Sequence, residues 1–156
     1  MKKFTDNLSV LTATFFGLGY SPAIPGTLGS IAGAAIYYLA RERQIVFYAV
    51  LFLTLIAGFA AAGRAGKALG EKDPHSIIID EVAGMLIAFV FVPFSVLNLA
   101  IVFALFRVFD VVKPYPVRKL ESLPGSAGIM MDDIAAGALA NAVFQILLRF
   151  VLYRIV

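Results

Sequence analysis

Five carboxylates sit where a hydrocarbon environment would penalise them. Asp80 and Glu81 stand immediately before an uncharged run, Asp110 just after another stretch of it, and Asp132 with Asp133 before a third. A carboxylate at the edge of a membrane-length segment is costly unless it is paired, hydrated or bound to a cation, so its default reading is functional. Four or five such groups without comparable basic charge beside them repel one another unless a divalent cation neutralises them. The chain has no Cys and one His, His75, so the donors are oxygens, and oxygen-only ligands point to Mg²⁺ or to Mn²⁺ as its substitute. Asp80, Glu81, Asp110, Asp132 and Asp133 are the candidate metal ligands. Arg107 lies three residues before Asp110 and Lys113 three after it, with Pro114 ending the helix, so two cations can approach the same place. Taken singly, the acids would serve equally well as helix N-terminal residues favoured by the macrodipole, with Arg107 and Asp110 as a plain ion pair. Two adjacent acidic pairs on one expected face favour a site.

The remaining polar positions suggest what would meet a metal there. Ser21-Pro22-Ala23-Ile24-Pro25-Gly26-Thr27-Leu28-Gly29-Ser30 reads as a rigid turn into a helix N-terminus. Its free N–H groups and the hydroxyls of Thr27 and Ser30 suit an anion. His75 lies in a loop headed by Asp73-Pro74, five residues before Asp80, and Gly125 to Gly128 reads as a flexible turn into Met130-Met131-Asp132-Asp133. Helical spacing puts Gly84 beneath Asp80 and Glu81, and Gly137 with Asn141 beneath Asp133, leaving room for an ion or a phosphate. Cations, an anion-binding turn and a metal on one face make a phosphate site.

The elements that must position these residues are membrane helices. Hydrophobic residues make up 61% of 156 positions and charged ones 15%, and the mean hydropathy is +0.91, outside the range of soluble domains. Lacking Cys, the chain has no thiol nucleophile, disulfide or thiolate metal site. Its net charge of +3 shows no interleaving of basic and aromatic residues of the kind nucleic-acid surfaces use. Met1-Lys2-Lys3, an apolar stretch and Ser21-Pro22-Ala23 imitate a signal peptide, but Asp6, Thr12 and Thr14 break the apolar region. The expected class is all-α: a compact polytopic membrane bundle forming one domain over residues 1–156, with about four or five membrane helices and a short interfacial helix near 7–18. Helices are expected at 26–40, 45–63, 77–93, 95–112 and 131–154, with a polar loop over 64–73. The uncharged run from Val82 to Phe106 is long enough for one span, but Pro93-Phe94-Ser95 at its middle favours a hairpin of two short helices. As a hairpin it brings the acids to one face. That face then also carries Lys2, Lys3, Arg64, Lys67, Lys72, Arg107, Lys113, Arg118 and Lys119 against Arg41, Arg43, Arg149 and Arg154, which places it in the cytoplasm. Gly29-x-x-x-Gly33, Gly58-x-x-x-Ala62 and Ala136-x-x-x-Ala140 are spacings for close helix contact.

Several of these segments together resemble one family. Ser21-Pro22 with Pro25-Gly26-Thr27 and Gly29-Ser30, Ile79-Asp80-Glu81 with Gly84, Phe106-Arg107 with Asp110, Lys113-Pro114 and Pro116, and Gly128-Ile129-Met130 with Asp132-Asp133 and Ala136-Gly137 are similar to the phosphatidylglycerophosphatase A family over about residues 15–141. The resemblance implies a Mg²⁺-dependent lipid phosphatase. Such an enzyme converts phosphatidylglycerophosphate to phosphatidylglycerol and inorganic phosphate on the cytoplasmic leaflet of a bacterial inner membrane, as a multi-pass protein. In that setting Asp80, Asp110 and Lys113 are the candidate catalytic residues, and Thr27, Arg107, Lys113 and His75 the candidate phosphate-binding ones. Water is the expected nucleophile, because no residue reads as a dedicated one, although a carboxylate attacking directly stays open. The alternative is a small ion or proton transporter using intramembrane carboxylates. Such a protein would carry them near the midplane and show an inverted repeat. The expected partners are the lipid substrate and the bilayer; oligomeric state is not legible.

Overall fold

The apolar run that could have been one helix is broken, and the break organises the molecule. In a computed structural model describing residues 2–70 and 74–152, six α-helices follow one another: α1 (Lys2–Ala13), α2 (Pro25–Ala40), α3 (Gln44–Leu69), α4 (Ile79–Ala88), α5 (Val96–Val112) and α6 (Ser126–Leu152). Two short 3-10 turns, Leu18–Tyr20 and Val117–Ser122, complete the order, and no strand forms among the described residues. Pro93 cannot continue a helix, and Ser95 starts the next by accepting a hydrogen bond from Asn98 N on its side chain. So α4 stops at Ala88, and the chain reverses through 89–95 into α5.

At ten residues α4 is about 15 Å long, half of a hydrocarbon core, and it is the buried element of the bundle. Eight of its ten residues are buried, and α2, α3, α5 and α6 surround it. The closest approach is to α6. A Cβ on Gly137 would stand 2.1 Å from the carbonyl oxygen of Gly84, and one on Gly84 would stand 2.5 Å from that of Asp133. Only glycine permits that contact, so these residues join helices and do not form the ligand space expected beneath the acids. Ala62, Ala136 and Ala140 are likewise fully buried at helix contacts.

Among the described residues, two helices are long and apolar enough to cross a membrane. The best window of α3 has a mean hydropathy of 2.4 with 22% of it buried; that of α6 has 1.3 with 33% buried. A core helix of a soluble protein would turn its apolar residues inward, whereas these present them outward, as lipid-facing helices do. The helices α2 and α5, with 16 and 17 residues, fall short of that length.

Several expected boundaries move. The N-terminal helix lies at Lys2–Ala13 rather than 7–18; Gly17 at φ 89° and Phe15 and Phe16 at positive φ end it early. The expected loop from Arg64 is the end of α3, which continues to Leu69 and closes on left-handed Gly70. The helix expected at 77–93 is the ten-residue α4. Only Gly125 of the Gly125 to Gly128 turn is a turn residue, at φ 64°, and α6 begins at Ser126. Asp132 and Asp133 therefore lie in the second turn of α6 rather than at its start. Residues 153 and 154 of the last expected helix, and Asp73 of the polar loop, lie outside the described residues.

Candidate active site

The chain reversal at Pro93 returns the end of α5 to the start of α4, and α6 closes the third side. Asp80 and Glu81 occupy the first turn of α4, Arg107 and Asp110 the last turns of α5, Lys113 its C-cap, and Asp132 and Asp133 the second turn of α6. Together with Thr27 of α2 and exposed His75 they line one cleft of about 550 Å³. All nine residues singled out by type and spacing thus meet in one place, although they come from four helices and a loop.

The acids are sheltered. Asp80, Asp110, Asp132 and Asp133 are all buried, and the side-chain oxygens Asp80 Oδ1, Glu81 Oε2 and Asp132 Oδ1 have no hydrogen-bond partner. Asp80, Glu81 and Asp133 each bring one carboxylate oxygen into a group whose members lie within 4.8 Å of one another. Six carboxylates line the cleft, Glu121 included, against two fixed cations, Arg107 and Lys113. Unpartnered buried oxygens and a surplus of negative charge are what an oxygen-donor site for a hard divalent cation requires.

The cations are tied down by two of these acids. Arg107 Nη1 donates to Asp110 Oδ2 and, at 3.3 Å, to Ser30 Oγ. Ser30 is fully buried, and its own hydroxyl donates to Gly26 O at 3.0 Å. It was expected to hold an anion; it holds the arginine instead. Lys113 sits at φ 45°, a left-handed helix cap that glycine fills without strain. From there its Nζ donates to Asp132 Oδ2 at 2.6 Å and to Glu121 Oε1 at 2.7 Å. Burial pushes the ammonium pKa down, but these two hydrogen bonds outweigh it and hold the group above the ordinary lysine range.

Glu121 was missed from the sequence. Its one distinguishing mark there is that it is the only acid between Asp110 and Asp132, and nothing in its spacing tells that it turns back to Lys113 across the Pro114-Tyr115-Pro116 loop.

The chain has relatives among known proteins. The profile of the phosphatidylglycerophosphatase A family matches residues 11–148, a stretch that contains every cleft residue named above. A protein of Bacteroides thetaiotaomicron, provisionally named a phosphatidylinositol-3-phosphatase, is 40% identical over 140 residues, covering 83% of this chain and 87% of the relative. The phosphatidylglycerophosphatase A of Escherichia coli is 35% identical over 136 residues, covering 85% and 79%. That of Haemophilus influenzae is 34% identical over 134 residues, covering 83% and 82%. No solved structure matches the chain. The chain belongs to the phosphatidylglycerophosphatase A family and is an enzyme of the phosphatase class.

Proposed function

We propose that the protein hydrolyses the terminal phosphomonoester of phosphatidylglycerophosphate, yielding phosphatidylglycerol and inorganic phosphate, with Mg²⁺ held by carboxylates of the cleft. The observation that carries this reading is the meeting of unpartnered buried carboxylate oxygens with Arg107 and Lys113 in one cleft. Family membership supplies the reaction class and the cleft supplies groups suited to it. Asp80, Glu81 and Asp133 are the best-placed ligands, with Asp132 offering its free Oδ1. Once bound, the ion would supply positive charge against the phosphoryl oxygens. Arg107 and Lys113 bind the remaining oxygens and orient the ester, with Thr27 and His75 at the rim. Water attacks phosphorus, the bond from phosphorus to the headgroup oxygen breaks, a cleft carboxylate takes the proton of the attacking water, and the leaving alkoxide takes a proton from solvent water. Asp110, already charge-paired with Arg107, keeps that guanidinium aimed.

The setting follows from the same features. The outward apolar faces of α3 and α6 support a bilayer, and α2 and α5 would cross a locally thinned one. The excess of basic residues on the cleft side supports a cytoplasmic orientation in a bacterial inner membrane.

A second reading concerns the headgroup. The relative at 40% identity carries a name for an inositol phospholipid, and both lipids present a phosphomonoester on a polyol that is itself joined to diacylglycerol through a phosphodiester. Release of inorganic phosphate by purified protein is to be measured on phosphatidylglycerophosphate, phosphatidylinositol 3-phosphate and phosphatidate, each with Mg²⁺ or a chelator. The expected result is Mg²⁺-dependent release, fastest from phosphatidylglycerophosphate. Faster release from the inositol lipid would move the assignment to the second reading, and no release from any lipid would defeat both.

A further inference from the structure

Lys113 is shared between two carboxylates of unequal accessibility. Its contacts to Asp132 and Glu121 are 2.6 and 2.7 Å, yet the Asp132 side chain is 6% exposed and that of Glu121 is 42% exposed. Breaking the first would strand a buried carboxylate whose other oxygen already lacks a partner. Breaking the second lets Glu121 rotate into water, where an exposed ion pair is worth little. An anion that arrives at Lys113 therefore displaces Glu121 and leaves Asp132 in place. The backbone beneath Glu121 stays fixed during that exchange. Val117 is buried, and the chain passes so close to α6 that a Cβ on Gly128 would stand 2.1 Å from Leu123 O and 3.2 Å from Glu121 O. Only the side chain has to move.

We propose that Glu121 is a specificity-determining residue: it occupies Lys113 in place of the substrate phosphate, admitting dianionic phosphomonoesters and turning away the monoanionic phosphodiesters that surround a membrane enzyme. This rests on the phosphatase reading of the cleft. A phosphodiester brings one negative charge and exchanges with Glu121 like for like, so it gains nothing at Lys113. A phosphomonoester brings two, one to replace Glu121 and one for the other fixed cation of the cleft, Arg107. Discrimination then comes from what must be displaced rather than from an added contact.

The test compares the wild-type chain with Glu121→Gln and Glu121→Asp, purified in detergent. Binding of inorganic phosphate is measured by calorimetry without lipid. KM for phosphatidylglycerophosphate and inhibition by phosphatidylglycerol are then measured in mixed micelles. Glu121→Gln is expected to bind phosphate roughly two- to fivefold more tightly, the value of one exposed ion pair, to lower KM by the same factor, and to become inhibited by phosphatidylglycerol. Glu121→Asp keeps the charge and returns toward wild type in all three. Unchanged or weaker phosphate binding in Glu121→Gln, or undiminished resistance to phosphatidylglycerol, would overturn the proposal and leave Glu121 as a support for Lys113. If wild type releases phosphate from no lipid, the phosphatase reading falls, while the calorimetric comparison still decides whether Glu121 yields to an anion.

Discussion

The two ends of the broken hairpin treat their polar groups in opposite ways. Where α4 stops, side chains of neighbouring helices take up the freed carbonyls: Asn141 Nδ2 donates to Ala88 O at 2.9 Å and Val90 O at 2.7 Å, Gln145 Nε2 to Phe91 O, and Tyr37 Oη to Val92 O at 2.8 Å. Tyr37 is also stacked on Phe89, with ring centroids 4.1 Å apart. Where α4 starts, three buried carboxylate oxygens have no partner. One end satisfies itself; the other needs something from outside the chain. Irregular backbone at membrane depth is tolerated where protein groups satisfy it or where it lines a cavity, and the hairpin turn does both.

The contrast can be broken most severely at the cleft. Asp80→Asn and Asp133→Asn should each lower phosphate release at least about a hundredfold while helical content and detergent extraction stay those of wild type. Near-normal turnover in both would remove these acids from the proposed site. Chelation sharpens the same point without mutation: adding Mg²⁺ to metal-stripped protein at about a hundred times its dissociation constant should stabilise the fold by about 2.7 kcal/mol, read as a rise in melting temperature that Asp80→Asn loses. At the self-satisfied end the readouts reverse. Asn141→Leu unpairs Ala88 O, leaves Val90 O with only the 3.4 Å contact from Gln145 Nε2, and should cost about 1–3 kcal/mol of stability, while KM stays put; a changed KM with no loss of stability would show that the two ends are coupled. Tyr37→Phe keeps the ring stack and loses one hydrogen bond, so its expected cost is smallest, about 0.5–1.5 kcal/mol by thermal unfolding.

Much of this arrangement is legible in the residues because steric rules are local. Pro25 opens α2, and Pro93 with Ser95 divides the central run, as their backbone constraints require. The cleft residues were recognisable because acids and bases at the ends of apolar runs have few structural explanations. What stayed hidden depended on partners in space. Arg64 and Lys67 look like a loop, since charge marks an exposed position without telling a loop from a helix that outruns its apolar segment. Gly128 looks like a turn residue, whereas a neighbouring carbonyl leaves no room for a side chain there. Ser30 turned to Arg107 and Glu121 to Lys113 for the same reason: a hydrogen bond between elements has no spacing to read.

The brevity of α4 also bears on how the chain is made. On the proposed membrane reading, ten residues with two acids at one end and open carbonyls at the other are not a stable unit in lipid by themselves. Such a segment cannot partition first and find neighbours later, as an independent span does. Its burial has to coincide with the closing of α6 over Gly84, so for this part of the chain membrane insertion and tertiary folding are one event.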